Sequence, residues 1–445
     1  MLKKRLLWMM CIVLARFGNA GLNAEAPEVR QDARARLKFV LVLTRHGVRS
    51  PTWTNARLDE YARDPWPKWG VEPGALTAHG KVLMNEFGRY YRASFADRGL
   101  LSATGCADAG SVYIDADTDG RTLDTARGIA DGMLPGCSVE IHSLKRGTQD
   151  PLFHTSGKLG KPDPQLGFLA VSGRVGGDAS ELLPAYQIPL ESMHELLFGC
   201  TSADCVVGTR KSLLGVQPSL GPGSGDHVAE LKGPLSTAAT FAENLQLEYL
   251  EGMPEEQVGW GRVNEDKIRA LMALHAASSD LLQRTPYIAR VQASNLLFHM
   301  AQTLQQAEEG KGVTGALGSE QQKVVFLVGH DTNISNVAAL LDAHWLVKGY
   351  QRDDAAPGGA LVFELWQRAG QEDAVRVYYT VQSPSQMRKA VPLSLTERPG
   401  KTVVFIPGCS RAEEGSPCGW SEFQRVIGAA VDQQFVQQDL LLEGR

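Results

Sequence analysis

The segment at residues 37–52, LKFVLVLTRHGVRSPT, constrains the fold more than any other part of the chain. Six of its first seven residues are apolar, which is typical of a strand buried on both faces of a sheet. Gly47 and Pro51 then favour a turn and the end of regular structure. In open α/β sheets ligands bind outside the carboxyl ends of the strands. The segment therefore predicts a binding site at the end of a buried strand.

Three charged or titratable residues, Arg45, His46 and Arg49, follow this strand within five positions. Guanidinium groups bind phosphate oxygens in pairs and stay charged at any working pH. A histidine between two arginines therefore indicates a site for a phosphate dianion. The alternative is a surface loop in which both arginines are solvated and the histidine is incidental.

The length and composition describe an ordinary folded protein. A chain of 445 residues can bury a large core and is expected to divide into two lobes. Apolar residues at 43% and charged residues at 21% exclude a disordered or membrane-spanning chain. The net charge of −5 argues against nucleic acid as a partner, because binding its backbone needs a basic surface. We expect a monomer that acts on a small-molecule phosphate ester.

The N-terminus has the three parts of a secretory signal. Lys3, Lys4 and Arg5 precede ten apolar residues, and small residues follow, so that cleavage is expected after Ala20 or Ala24. Ten apolar residues are too few to span a bilayer. Residues 1–24 carry four cations and no acids, so their removal takes the net charge from −5 to −9. We expect a periplasmic or secreted protein that is free of the membrane after cleavage.

Six of the seven cysteines lie beyond this signal. Six cysteines allow many pairings, but three near-neighbour pairs stand out in the sequence. The predicted disulfides are Cys106–Cys137, Cys200–Cys205 and Cys409–Cys418. They indicate an oxidising compartment, and the lack of any CxxC spacing argues against zinc.

The pattern along the chain alternates between strands and helices. Residues 77–92 are predicted to form a helix capped by Thr77, and residues 111–116 and 139–144 to form strands. Between these strands, Asp117 and Asp119 offer capping oxygens, and Arg121 falls near the start of a second helix. This order is the alternation of an α/β domain.

The strand signal fades between residues 161 and 290. Helical spacing appears at residues 191–197, 239–250, 267–283 and 289–305, whereas residues 218–225 are predicted to form a loop. We therefore predict a mainly helical cap domain at 161–290, inserted into an α/β core made of residues 25–160 and 291–445.

A second buried strand is predicted at residues 323–328, and it ends in Gly329, His330 and Asp331. Thr332 and Asn333 suit the N-cap of a helix over residues 334–341. Residues 359–366 and 374–381 follow as a hairpin. If both buried strands share one sheet, His46 and His330 face each other across its edge, with Arg121 as a third cation.

This constellation predicts phosphoryl transfer. Neighbouring cations lower the pKa of His46, which leaves it neutral and able to attack phosphorus and form a phosphohistidine. Arg45, Arg49, Arg121 and His330 would stabilise the transferring oxygens without a metal or other cofactor. Asp331 would protonate the departing alcohol. The structural alternatives are an N-cap role for Asp331, a core histidine at His330 and a solvated Arg121.

The chain resembles the histidine acid phosphatases, and within them the bacterial periplasmic phytases. RHGVRSPT at 45–52 and HDTN at 330–333 look like the two signatures of that family. Further similarity lies in DADTDGRT around Arg121, GMP at 252–254, GWGR at 259–262, LQRTP at 282–286 and PGG ahead of LVFELW.

The resemblance implies a phosphate monoester hydrolase with a phosphoglycerate-mutase-like sheet, flanking helices and a helical cap. Inositol hexakisphosphate is a frequent substrate in the family, and a sugar-1-phosphate phosphatase is the near alternative. The family's functional positions fall here on Arg45, His46, Arg49, Thr52, Asp117, Arg121, Glu243, His330 and Asp331. Trp53 stands where those phytases have a lysine, and the cysteines of the family's longer-range fourth disulfide are missing.

The same residues allow two alternatives to a phosphate monoester hydrolase. A cytosolic mutase of the same chemistry is disfavoured by the signal and the six cysteines. A non-catalytic phosphate-binding protein would have no use for His46 and Asp331 together.

Overall fold

The apolar segment that organises the sequence forms strand β1, Ala35–Arg45, at the centre of an eight-stranded sheet. The computed structural model describes residues 35–154, 159–200, 207–225 and 227–439. The expected signal peptide, residues 1–24, lies outside the described residues. The further strands are β2 (Val112–Ala116), β3 (Ile141–His142), β4 (Ser219–Pro222), β5 (Ala229–Lys232), β6 (Val324–Gly329), β7 (Ala360–Arg368), β8 (Ala374–Val381), β9 (Gly400–Val403) and β10 (Cys418–Gly419).

Helices pack against the sheet and build a second lobe beside it. They are α1 (Asn55–Leu58), α2 (Ala78–Asp97), α3 (Gly120–Met133), α4 (Pro164–Arg174), α5 (Leu182–Phe198), α6 (Pro234–Leu250), α7 (Glu265–Leu282), α8 (Pro286–Glu309), α9 (Asp331–Leu340), α10 (Pro384–Arg388) and α11 (Trp420–Ala430).

The strand order of the main sheet is β10-β8-β7-β1-β6-β2-β3, with β9 also paired to β8. Strands β1, β6, β2 and β3 run parallel, whereas β7 and β8 are antiparallel to their neighbours. Strand β1 is therefore held between two strands from the second half of the chain. Arg45 lies opposite Gly329 in the β1–β6 register, so the residues that follow both strands emerge side by side.

Burial explains why β1 and β6 occupy the centre. The side chains of residues 40–43 and 324–328 are fully buried, and both faces of these strands are covered. A run without polar residues fits such a position, because alternation would place a polar side chain in the core. The predicted pair of buried strands in one sheet is thus confirmed.

The predicted helices and the 359–381 hairpin are present, with helix ends shifted by up to five residues except in α5, which begins at Leu182, nine residues before the predicted start at 191. Thr77 caps α2 as expected, since its hydroxyl accepts a hydrogen bond from the Gly80 N–H over 2.8 Å. The N-cap predicted at Thr332 or Asn333 is wrong. His330 is the N-cap residue of α9, because the Asn333 side chain accepts from the His330 N–H over 2.8 Å and starts the helix earlier.

The loop predicted at residues 218–225 is also partly wrong. Ser219–Pro222 pairs with Ala229–Lys232 to form a small antiparallel sheet within the segment expected to be helical. Pro222 concealed this strand from the sequence pattern; a strand with a neighbour on one side only tolerates proline.

The second lobe has its own apolar core, in which Leu197, Phe241 and Leu274 are fully buried. It is built largely by helices α5, α6 and α7. The boundaries expected for the cap domain, 161–290, stay a prediction.

Two of the three predicted disulfides are present. Cys106 is bonded to Cys137 and Cys409 to Cys418, with Cα atoms 5.4 and 5.0 Å apart. Cys205 lies outside the described residues, so the Cys200–Cys205 pair stays a prediction. Among the helices in the described part of the chain, none has the length and apolar character needed to cross a bilayer.

Candidate active site

His46 lies at the carboxyl edge of the sheet and is 2% exposed. Its Nδ1 is 2.8 Å from the carbonyl oxygen of Gly47. A carbonyl only accepts hydrogen bonds, so Nδ1 carries the proton and Nε2 of the neutral ring keeps a free lone pair. Burial lowers the pKa of His46 well below its usual value, and the charges of Arg45 and Arg49 lower it further. The ring is therefore a neutral nucleophile even in acid.

The loop that carries His46 is fixed against helix α2. Gly80 packs directly on the backbone of Val48, and a Cβ at residue 80 would collide with the Val48 carbonyl oxygen. The Gly47 N–H donates to the Thr125 hydroxyl over 3.0 Å, which ties the same loop to α3. The nucleophile is thus positioned by the two helices that cover one face of the sheet.

Arg45 and Arg49 share one carboxylate from the second lobe. Arg45 donates from Nη2 to Oε1 of Glu243, and Arg49 donates from Nη2 to Oε2 of the same residue over 3.0 Å. Arg45 also donates from Nη1 to the Ala355 carbonyl oxygen over 2.7 Å. Burial acts to raise the pKa of Glu243, but the two arginines outweigh it and lower the pKa. Glu243 therefore stays ionised and holds both guanidinium groups in place.

His330 is oriented by a fully buried carboxylate. Its Nε2 donates to Oδ2 of Asp117 over 2.6 Å, and its Nδ1 accepts from Nη2 of Arg121 at 3.3 Å. His154 donates to the same Asp117 oxygen over 2.7 Å. Burial acts to raise the pKa of Asp117, but the hydrogen bonds from His154 and His330 outweigh it and lower the pKa. An ionised Asp117 thus fixes the tautomer of His330.

Asp331 is the first residue of α9 and keeps 22% of its side chain exposed. It does not serve as the N-cap, so the structural alternative weighed for it is wrong. Burial acts to raise its pKa, but the charge of Arg45, followed by those of His275 and His330, lowers it below the ordinary value. A bound phosphate dianion would act in the opposite direction, since negative charge beside a carboxyl favours its protonated form.

Thr52 and Arg121 line the outer rim of the site. Thr52 is exposed, and Arg121 keeps 22% of its side chain accessible while pairing with Asp119 at 2.5 Å. Both lie against Gly74: a Cβ there would be 3.6 Å from Thr52 Cγ2 and 3.8 Å from Arg121 Nη1. The two predicted substrate-binding residues are thus neighbours across a glycine, which leaves the rim open.

Three side chains at the site were not predicted from the sequence to have a role there: His154, His275 and Asp119. His275 Nε2 lies 3.9 Å from Asp331 Oδ2, and His154 reaches Asp117 from the loop after β3. These contacts exist only in the folded chain, and neither histidine adjoins a recognisable motif. No local pattern in the sequence could therefore have identified them. Asp119 was expected to cap α3, but its carboxylate makes no cap hydrogen bond and pairs with Arg121 instead.

Among the residues that the structure describes, two groups of three side chains have potential metal-ligating atoms within 4.8 Å of one another. They are Asp117, His154 and His330, and Glu243, His275 and Asp331. Arg121 abuts the first group, and Arg45 and Arg49 are paired with the second. Fixed positive charges at both places oppose a metal ion and favour an anion.

The arrangement defines a class of enzyme. A neutral imidazole with a free Nε2 lies among guanidinium groups, beside a second imidazole whose ring centroid is 5.6 Å away and a carboxyl group at the helix start. Such a site binds a phosphate group, accepts it on nitrogen and supplies a proton to the leaving alcohol.

Comparison with known proteins identifies the family. The sequence matches the family model of the histidine phosphatase superfamily (branch 2) over residues 36–165 and 240–380. The chain belongs to this family and is a phosphoric monoester hydrolase, a histidine acid phosphatase.

Two named relatives align with 92% and 89% of this chain. Phytase AppA of Escherichia coli (strain K12) is 32% identical over 92% of this chain and 95% of its own length. Glucose-1-phosphatase of Providencia rettgeri is 29% identical over 89% and 92%. The structure of Hafnia alvei phytase in complex with tartrate superposes with a TM-score of 0.82 at 32% identity, covering 91% of this chain and 99% of that one.

Proposed function

We propose that this phosphatase hydrolyses myo-inositol hexakisphosphate, with His46 as nucleophile and Asp331 as proton donor. The observation that carries the mechanism is the hydrogen bond from His46 Nδ1 to the Gly47 carbonyl, which leaves the Nε2 lone pair free in a ring whose pKa is lowered by burial and by Arg45, Arg49 and Arg121. Arg45, Arg49 and Arg121 bind the oxygens of the phosphate, and His330 joins them as the imidazolium, whose Nδ1 carries a proton that it can donate. Asp117 orients His330, Glu243 orients the two arginines, and Thr52 lines the rim.

The reaction proceeds in two displacements. His46 Nε2 forms a bond to phosphorus while the ester P–O bond breaks, and the departing alkoxide takes a proton from Asp331. Water then attacks the phosphohistidine and gives a proton to the Asp331 carboxylate, which releases inorganic phosphate and restores the enzyme. The guanidinium groups stabilise the charge on the equatorial oxygens in both steps.

Replacing His46 with Ala tests the mechanism. The variant is expected to lose turnover of p-nitrophenyl phosphate while keeping its thermal unfolding temperature. Retained turnover in His46→Ala would contradict the role of His46 as nucleophile.

The substrate proposal draws on the similarity to phytase AppA. Glucose 1-phosphate is the alternative substrate, because glucose-1-phosphatases are also relatives. Initial rates on the two esters at mildly acidic pH separate them. A kcat/KM that is higher for glucose 1-phosphate would reverse the choice.

Three further properties are proposed for this enzyme: its location, its oligomeric state and its division into domains. The signal at residues 1–24 and the disulfides support a periplasmic or secreted enzyme. We also propose a monomer in which residues 161–290 act as a cap over a core of residues 25–160 and 291–445. Glu243 supports the cap role, because it reaches Arg45 and Arg49 from this segment.

A further inference from the structure

An arginine is stacked on a tryptophan at the rim of the phosphate site. Trp53 directly follows Thr52, and the guanidinium carbon of Arg57 lies 3.4 Å from the centroid of the Trp53 ring. Trp53 precedes Thr54, the N-cap residue of the short helix α1, and Arg57 lies in that helix. An arginine over an indole face is held by cation–π attraction and flat stacking.

The tryptophan lies between the rim of the site and the core of the second lobe. Its neighbour Thr52 lies beside Arg121 across Gly74. Its ring also meets Phe241 edge to face, with centroids 6.0 Å apart, and Phe241 belongs to the buried core of the second lobe. The stacked arginine is therefore held on a ring that packs on the second lobe and directly follows the rim residue Thr52.

Arg57 brings an uncompensated positive charge to the surface beside Thr52. It is exposed, and within the described ranges no carboxylate forms an ion pair with it. The nearby cation Lys211 differs in this respect, because Glu60 pairs with it at 2.5 Å. Arg57 is thus a cation beside the rim that can receive an anion without first giving up a carboxylate partner.

We propose that Arg57, held on Trp53, is a subsite for a second phosphate of a polyphosphorylated substrate whose reacting phosphate lies on His46. This inference rests on the proposed function and narrows it to substrates that carry several phosphates. A guanidinium group already flattened on an indole loses little freedom when it binds an anion. A substrate with one phosphate has nothing to place there.

Replacing Arg57 with Gln tests the subsite. The variant is expected to lose roughly tenfold in kcat/KM on myo-inositol hexakisphosphate, because a hydrogen bond between charged groups is removed. Its kcat/KM on p-nitrophenyl phosphate and glucose 1-phosphate should stay unchanged. Arg57→Lys keeps the charge without the planar fork and should fall between the wild type and Arg57→Gln.

Arg63→Gln is the matched control. Arg63 is an exposed arginine beyond α1 that pairs at 3.8 Å with Asp64, a carboxylate that also pairs with Arg262, and the substitution changes the net charge equally. It should leave all three substrates unaffected. An equal loss in Arg57→Gln and Arg63→Gln, or equal losses on substrates with one and several phosphates, would overturn the subsite.

A second measurement separates this inference from the proposed substrate. Myo-inositol hexakisphosphate is added as a competitive inhibitor of p-nitrophenyl phosphate hydrolysis, so that its binding is measured whether or not it is hydrolysed. Arg57→Gln should raise its inhibition constant roughly tenfold. An unchanged constant refutes the subsite, whereas binding without hydrolysis by the wild type refutes the substrate proposal alone.

Discussion

His46 and His330 meet edge to face, with their ring centroids 5.6 Å apart, although they come from opposite halves of the chain. Their proximity follows from the pairing of Arg45 with Gly329 at the ends of two parallel strands. The backbone N–H of His46 donates to the Gly329 carbonyl oxygen over 2.9 Å. This hydrogen bond extends the β1–β6 pairing to the residue that follows β1. The geometry of the reacting centre is therefore set by backbone pairing, and the surrounding carboxylates adjust it.

Asp117→Asn is expected to slow catalysis without unfolding the protein. The substitution removes the charge that holds the His330 tautomer, so kcat on p-nitrophenyl phosphate should fall roughly tenfold to a hundredfold. Asp124→Asn, on the exposed face of α3, is the control and should keep full activity. A variant Asp117→Asn with wild-type kcat would show that His330 needs no partner.

Asp331→Asn is expected to separate the two halves of the reaction. The amide cannot protonate an alkoxide, so alkyl phosphates should fail, whereas esters with good leaving groups should still form phosphohistidine. Rapid quenching with an aryl phosphate should trap the labelled histidine. Equal losses on alkyl and aryl esters would instead assign Asp331 a structural role.

Glu243→Gln is expected to destabilise the protein in the absence of phosphate. Arg45 and Arg49 would be left buried without a counter-charge, which costs about 3–5 kcal/mol in free energy of unfolding. Inorganic phosphate should restore much of the loss, because it replaces the missing anion. Thermal unfolding with and without phosphate measures this, and Glu255→Gln, on an exposed loop, serves as the control. A variant insensitive to phosphate would contradict the proposed competition.

The buried carboxyl of Glu248 is expected to make the stability of the protein depend on pH, independently of the catalytic site. Its carboxyl is fully buried in α6, and one oxygen accepts from the Gly259 N–H over 2.9 Å. The other oxygen finds no hydrogen-bond partner among the described residues. Burial raises the pKa of Glu248 to about 8. The folded state therefore binds a proton that the unfolded chain releases near its ordinary pKa of about 4.3.

Because the folded state holds this proton more tightly than the unfolded chain does, raising the pH lowers the free energy of unfolding. The stabilisation is fully present below the unfolded pKa and is lost as the pH rises through the folded pKa, at up to about 1.4 kcal/mol per pH unit. The wild type should therefore unfold at lower temperatures as pH rises from 5 to 8. Glu248→Gln should flatten that slope, and Glu255→Gln should not. Parallel slopes in Glu248→Gln and wild type would contradict the raised pKa.

The central strands and the charged residues that follow them could be predicted from the sequence, because a local run of apolar residues marks where each strand begins and ends. Two unbroken apolar runs mark the central strands, and each ends in charged residues that have no reason to lie there except function. Glu243 and Asp117 came from resemblance alone. His154 and His275 could not be found, because their roles depend on distances between elements far apart in the chain. The edge strand ending at Pro222 was missed since its proline and glycines are also typical of loops.

The position of β1 has a consequence for how the protein is made. This first strand lies between β6 and β7, so its hydrogen-bonding edges stay empty until residues 324–368 have been synthesised. An apolar strand in that condition is prone to aggregate with other nascent chains. This hydrophobic strand must therefore stay apart from other chains during most of translation, and a truncated product would carry the nucleophile on a strand with nothing to pair with.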